Sequence, residues 1–490
     1  MFSRLFALPL VALTACATVA PPPKDVRLMT INEPPRSAEA PASKATHTPT
    51  LIRNGTVLTA AGQVFKGGHV LLVDGRIADV GEGSGTAPTG ALVVDAKGGF
   101  ITPGLIDTHS HVGVYAWPGT IGTADGNEMT NPTTPHVRSE SGFWPQDPAI
   151  WRALAGGVTT IQVLPGSGNV IGGRSFVAHL KPEGAARAMR YPGAPEGLKM
   201  ACGENPRRHY GGMNREPASR MGVVATLRAA LQKALEYRRA QQKWQRDLEL
   251  WRAKHTAEEG KPPPPTARPD GSPDDPPEGP PRDFGMETLA GVLDGKTLVH
   301  HHCYRADEMH QVLDVAREYG YQVRSFHHAV EAYKLADRLA AEGTAVSTWV
   351  DWWGFKMEAL DGIPQNVALV QRAGGRPILH SDSAVEMRRL NQEAAKARAA
   401  GVRFGLQASD DEVLRWVTAN PAWALGIDAD VGTLEKGKRA DVVVWNGSPF
   451  SVYTLAQQVL VDGAVVYDRA ARDVPISDFE LGLVDGKDLP

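Results

Sequence analysis

At 490 residues, 42% of them apolar and 22% charged, the chain is too long for one ordinary domain, and its composition excludes wholesale disorder and a multispan membrane protein. A formal net charge of −3 lacks the basic field that would draw a polyanion, so no nucleic-acid partner is expected. Three cysteines at unrelated spacings match neither a disulfide framework nor a cysteine-rich zinc site.

Met1 to Arg4 is short and basic, and Leu5 to Ala15 is an apolar run too short to span a bilayer. This reads as a signal peptide over 1–15. Leu13-Thr14-Ala15-Cys16 resembles a bacterial lipobox, which makes Cys16 the lipidated residue and the lipid the membrane partner. Ala17 in place of an aspartate favours the outer membrane, on its periplasmic side or at the cell surface. Residues 16–50 are rich in Pro, Ala, Thr and Ser without apolar periodicity, as expected of a flexible tether.

From Leu51 to Gly98, apolar and polar positions alternate around Asn-Gly and Asp-Gly turn signals. A similar pattern returns in Ala440–Trp445 and Val459–Tyr467. The two ends are therefore expected to form one small β-sandwich-like domain, 51–98 plus 430–475. Between them, strand-like runs alternate with amphipathic helical stretches: Phe100 to Asp107, Thr159 to Leu164, Leu198 to Ala201, Thr297 to His302, Gln322 to His328, Ala345 to Trp349 and Pro377 to Asp382. The fold class is α/β. Candidate ligands at the C-terminal ends of several strands favour a (β/α)8 TIM-like barrel over 99–429 rather than an open sheet.

One insertion, about 223–282, breaks the alternation. Val223 to about Glu259 has helical spacing and many charges, and Lys261 to Pro281 holds ten prolines. A protruding helix followed by a solvent-exposed, PPII-like linker is expected, with a partner-docking arm or lid as the alternative. Gly166 to Gly173 lacks the residues of a phosphate loop and reads as a tight loop over the barrel mouth. Cys202 and Cys303 read as buried free thiols, although distant residues on converging loops are also able to pair.

The strongest chemical signal is Pro103-Gly104-Leu105-Ile106-Asp107-Thr108-His109-Ser110-His111. On a strand, positions i and i+2 share a face, so His109 and His111 are able to converge on one metal. The segment closely resembles the first-strand signature of the amidohydrolase superfamily. Gly98 to Thr102, Thr418 to Ala422 and Gly432 to Asp441 match as well, nearest to the imidazolonepropionase-like and related amidohydrolases.

The resemblance implies further ligands. In the run His300-His301-His302 it implies His302, with His300 one step deeper and His301 pointing outward. At the next strand it implies His328, with His327 as runner-up; Ala329 stands where the family usually has glycine. Asp382 matches the Ser-Asp whose carboxylate ligates metal and moves protons. For a bridging group the candidates are Glu204 and Lys199, the latter a type of residue that some relatives carboxylate. Glu204 is preferred because it needs no modification and because Leu198, not Lys199, aligns with the lysine of those relatives. Arg207, Arg208, Tyr210, Tyr304 and Arg305 fall near site loops and are candidates for orienting a substrate carboxylate.

The implied activity is metal-dependent hydrolysis of an amide-like C–N bond in a small peptide-like, N-acyl or cyclic amide. Zn2+ or a similar divalent metal, as a pair of ions, would activate water and Asp382 would carry the proton. A heterocyclic-base deaminase of the same superfamily and an inactive surface lipoprotein that binds a ligand or partner are the alternatives, and an oligomer remains open.

Overall fold

A computed structural model describes residues 48–181, 183–255, 274–352 and 354–471. The signal peptide, Cys16 and nearly all of the tether lie outside the described residues.

The described chain opens as β1 (Thr50–Leu58), β2 (Val64–Val73) and β3 (Arg76–Gly81), followed by β4 (Leu92–Asp95) and β5 (Phe100–Pro103). Asp74 and Gly75, at φ 49° and 74°, form a two-residue turn whose positive φ values match the twist of the paired strands. Asp462 and Gly463 do the same near the other end, between β15 (Ala456–Val461) and β16 (Ala464–Asp468). Together with β14 (Val442–Trp445) these strands form one sheet, ordered β16-β15-β14-β5-β1-β2-β3, with β4 pairing parallel to β1. Both ends of the chain thus build one sheet, as their matching patterns imply.

The run from Phe100 to Asp107 is two strands rather than one. β5 belongs to the small sheet, and β6 (Leu105–Ser110) starts the second. The chain changes sheets at Gly104, whose N–H donates to Asp441 O at 2.9 Å and where any Cβ would run into Thr159.

The second sheet runs in chain order through β6, β7 (Val158–Val163), β8 (Ile171–His179), β9 (Gly197–Ala201), β10 (Leu298–Cys303), β11 (Val323–His328), β12 (Ala345–Thr348) and β13 (Arg376–Leu379). It is a nearly closed eight-stranded barrel sheet with helices outside it. β8 departs from the regular pattern, pairing antiparallel with both β7 and β9. The Gly166–Gly173 segment is therefore part loop and part strand. Its glycines, including Gly173 at φ 115° beside a register shift, disguise the strand.

Side-chain alternation sorts the barrel strands into two environments. Leu198, Met200, Val299 and Phe326 pack outward against helical residues such as Leu289, Leu313 and Leu339. Lys199, His300 and His302 alternate with them and are also fully buried. The first and last strands are joined at their C-terminal ends: Asp382 N–H donates to His109 O at 2.9 Å, and the Asp107 carboxylate accepts from Ser381 N at 3.2 Å and from the Ser381 hydroxyl.

Cys202 and Cys303 are disulfide-bonded, not free thiols, with Cα atoms 5.3 Å apart. The register explains the pair: β9 and β10 run parallel with Ala201 opposite His302, so the next residues emerge side by side despite a sequence separation of 101. The insertion also differs from a free linker. The helix Arg220–His255 buries Val223, Leu227 and Leu231 in its first turns, and its distal half is met by returning chain. Trp244 Nε1 donates to Pro277 O and Trp251 Nε1 to Asp274 O, each at 2.8 Å, so this part of the proline-rich tract is docked onto the helix. Residues 256–273 lie outside the described residues.

The small sheet is fastened to the barrel by a buried polar network. His179 Nε2 lies 2.7 Å from Asp441 Oδ2, Asp441 Oδ1 accepts Asp462 N–H at 3.0 Å, and Arg439 donates to Asp462 at 2.7 Å. Lys181 completes the pairing of Asp462. Breaking one partner of such a network strands a buried charge, which holds the two sheets in a fixed relation.

Candidate metal centre

The site lies at the C-terminal end of the barrel. His109 occupies the end of β6 and His111 follows it, while Asp382 follows β13. His109 Nε2 is 3.5 Å and His111 Nε2 3.2 Å from Asp382 Oδ1, and one ligand atom from each of the three residues lies within 4.8 Å of the others. His328 Nδ1 approaches the other Asp382 oxygen at 4.0 Å.

Hydrogen bonds fix which ring nitrogens remain available. His111 Nδ1 donates to Leu164 O at 2.8 Å, which turns Nε2 toward Asp382. His109 Nδ1 pairs with His327 Nδ1 at 2.9 Å, and His327 Nε2 pairs with His300 Nδ1 at 2.9 Å. Both ring nitrogens of His327 are thus engaged in orienting neighbours. His328 Nδ1 has no protein partner, which favours His328 over His327 as the ligand. Backbone geometry aims these groups: His328, Ala329 and Asp382 adopt φ values of 71°, 39° and 52°. Such left-handed conformations are strained for residues with a Cβ and persist where surrounding contacts enforce them. Ala329 occupies one of these positions, which accounts for the glycine usual there in the family; its N–H is held by Cys303 O at 2.8 Å.

Burial makes the imidazoles neutral. It pushes His109, His302, His327 and His328 well below the usual histidine value, and His300, His301 and His380 down to about 3, with nearby Lys199 acting in the same direction. Burial alone would raise the Asp382 carboxyl, but the hydrogen bond with His111 and the nearby Lys199 ammonium outweigh it and hold the group below its ordinary value. Neutral imidazoles beside an ionised carboxylate form a donor set suited to Zn2+ and similar divalent ions. Both nitrogens of His302 and of His380 are buried without a protein partner. Leaving such atoms unmet is costly, so they too fit a cation.

His302 packs against His328 with ring centroids 4.5 Å apart, and His301 points away to Phe326 and the disulfide, as expected. His380 was not among the expected ligands, yet its ligand atom groups with those of His109 and His328. Its place directly before Ser381-Asp382 was the available sequence signal.

Glu204 does not join this group. It begins the helix Glu204–Gly212, beyond the end of β9, and its Oε1 lies 3.9 Å from Lys356 Nζ. Lys199 takes the central position instead: opposite His300 in register, fully buried, it sets Nζ 3.3 Å from His109 Nε2. Burial lowers its ammonium to about 8 against the opposing pull of Asp382.

The substrate-orienting candidates separate as well. Tyr304 stacks on His328 at 4.9 Å and belongs to the site. Tyr210 is buried, donating to Asn131 O at 2.8 Å, and Arg305 is paired with Asp307 beside a separate depression. Arg207 is exposed and lines neither cleft. Arg208 does line a cleft of about 350 Å3, together with His111, Tyr115, Asn127 and Asn205.

Fold and site together define a barrel with a cluster of histidine and aspartate at its strand ends whose ligand atoms lie close enough to hold a metal ion. A family model described as the amidohydrolase family matches residues 332–467. A solved amidohydrolase from Thermotoga maritima is 33% identical, with the match covering 86% of this chain and 100% of that one at a TM-score of 0.73. Amidohydrolase tasK of Hapsidospora irregularis is 32% identical over 456 residues, 86% of this chain and 43% of its own, so this chain spans less than half of that relative. A 5'-deoxyadenosine deaminase of Methanococcoides burtonii is 38% identical over 71 residues, 14% of this chain and 16% of its own. The chain belongs to the amidohydrolase superfamily.

Lys199→Ala is expected to lose most bound metal after reconstitution with Zn2+, whereas Glu204→Gln retains it; atomic emission on the purified variants reads both. The reverse pattern would return the central role to Glu204.

Proposed function

We propose that this protein hydrolyses an amide-like C–N bond in a small peptide-like, N-acyl or cyclic amide. The observation that carries this reading is the convergence of His109, His111 and Asp382 ligand atoms at the C-terminal end of the barrel. His109, His111, His302, His328 and His380 would hold divalent ions, Zn2+ or similar, together with Asp382. Lys199 takes the bridging role. An amine lowered to about 8 has a neutral fraction able to add CO2, giving a carbamate anion and a proton. When bound, the metal lowers the pKa of water to about 7 and polarises the scissile carbonyl.

The protein's own groups supply the rest. Asp382 is anionic and touches His111, so it accepts the proton of the attacking water and delivers it to the leaving nitrogen. The His300–His327–His109 chain fixes the His109 ring and leaves Nε2 toward the centre. A binding protein without chemistry would have no use for so many desolvated, unpartnered imidazoles. The local likeness to a deaminase supports a second reading, hydrolytic release of ammonia from an amino-heterocycle. A substrate panel that includes amino-heterocycles, assayed for free ammonia, separates the two.

Asp382→Asn is expected to reduce turnover by roughly 10² to 10⁴ while metal content falls only in part, because an amide oxygen still approaches a cation but cannot take a proton. Turnover and metal measured on one preparation test this. Near wild-type turnover would remove Asp382 from the proton path.

We further propose that the protein is exported and anchored by lipid on Cys16, facing the periplasm from the outer membrane or the cell surface. The Cys202–Cys303 disulfide supports an oxidising compartment. Among the described residues no helix is long and apolar enough to cross a membrane. Cys16→Ser should move the protein from the detergent-extracted to the soluble fraction; full retention would place the anchor elsewhere.

A further inference from the structure

A stack of rings leads from the site toward solvent. Tyr304, His328, Trp349 and Trp352 follow one another with centroids 4.9, 4.4 and 5.3 Å apart and interplanar angles of 17°, 22° and 14°. Phe355 stands across this stack, edge-on to Tyr304, Trp349 and Trp352 at 6.2, 6.3 and 6.4 Å. The result is an aromatic corner whose inner end is the candidate ligand His328. Its outer end is open: Trp349 is only 5% exposed, whereas Trp352 is 37% and Phe355 57% exposed.

The segment carrying these rings is pinned. Trp349 Nε1 donates to Ser381 O, beside Asp382, at 3.2 Å. Farther along, the buried Glu358 carboxylate accepts from Glu204 N–H at 2.6 Å and from Arg220 at 2.8 Å, and Gly354 N–H donates to Ala359 O at 2.8 Å. Held faces of this kind gain on covering another ring, because apolar area leaves water with little ordering cost and offset or edge contacts add to it.

We propose that Trp352 and Phe355, the open end of this stack, form a subsite for an aromatic side group flanking the scissile amide. This rests on the amide-hydrolase reading above and narrows it to ring-bearing substrates. An aromatic box also suits a cationic group, but Lys356 already sits over the Tyr304 ring at 3.9 Å. A second cation would meet its charge, whereas a neutral ring would not.

The test uses the full chain and three probes, N-acetyl-L-phenylalanine, N-acetyl-L-alanine and N-acetyl-L-lysine, each also as the corresponding glycyl dipeptide. Hydrolysis should favour the phenylalanine member at least about tenfold in kcat/KM, within the range expected of an apolar contact. Trp352→Ala with Phe355→Ala should bring that preference below about threefold, mainly through KM. Trp352→Leu with Phe355→Leu, which keeps the surface apolar, should lose it too, with circular dichroism confirming the fold.

Hydrolysis with an unchanged preference in the variants, or preference for alanine or lysine, overturns the subsite and leaves the amide-hydrolase reading standing. If no probe is cleaved, calorimetric titration with N-acetyl-L-phenylalanine decides. Binding that the double variant weakens about tenfold supports the subsite and makes the scissile amide of a type other than these probes. Absence of ring-dependent binding overturns the subsite.

Discussion

The join between the first and last barrel strands is the constraint on which the site depends. The hydrogen bond from Asp382 N–H to His109 O, with the Asp107–Ser381 pairing beneath it, brings together residues more than 270 positions apart in the chain. It places the Asp382 carboxylate against two imidazoles that a two-residue spacing had already aligned. Burial raises Asp107 to about 6, against the opposing hydrogen bonds from Ser381 and His109. A costly buried acid at this position is retained because its two oxygens tie β13 to β6.

From that join the electrostatics follow. Desolvation keeps the imidazoles neutral, and a neutral imidazole presents a lone pair where a protonated one would present only charge and N–H. The carboxylate survives as an anion because the His111 hydrogen bond and the Lys199 ammonium offset the burial that would otherwise protonate it. His327 is the organiser of the interior, engaging His109 on one side and His300 on the other. The same region carries three left-handed residues, His328, Ala329 and Asp382, and at His328 and Asp382 this backbone geometry aims a side chain at the centre.

The barrel and its companion sheet were legible from local alternation and turn signals; His109 and His111 came from a strand ending in His-x-His and Asp382 from the resemblance of Ser381-Asp382 to the family pattern, and the structure brings these three side chains together. What escaped depends on neighbours across the sheet. β8 carries two glycines directly after its first residue and is buried along almost its whole length, so it shows neither alternation nor a polar face. Lys199 looked less suitable than Glu204 because a linear comparison put Leu198 at the lysine position; the register with β10 instead turns Lys199 inward and leaves Glu204 beyond the strand, beside Lys356. The disulfide was hidden in the same way, since only parallel pairing makes Cys202 and Cys303 adjacent. The docking of the proline-rich return onto Trp244 and Trp251 depends on indole donors that no composition rule reveals.

On this assignment the histidines and aspartate at the strand ends hold the metal. Anomalous diffraction from crystals grown with Zn2+, recorded on both sides of the zinc edge, locates the ion. The expected result is a strong peak within coordinating distance of His109, His111 and Asp382. A second cluster of ligand type among the described residues is His179-Asp441-Asp462, whereas the sulfurs beside His301 are taken up in the disulfide. Zinc there with none between His109 and Asp382 would contradict the assignment.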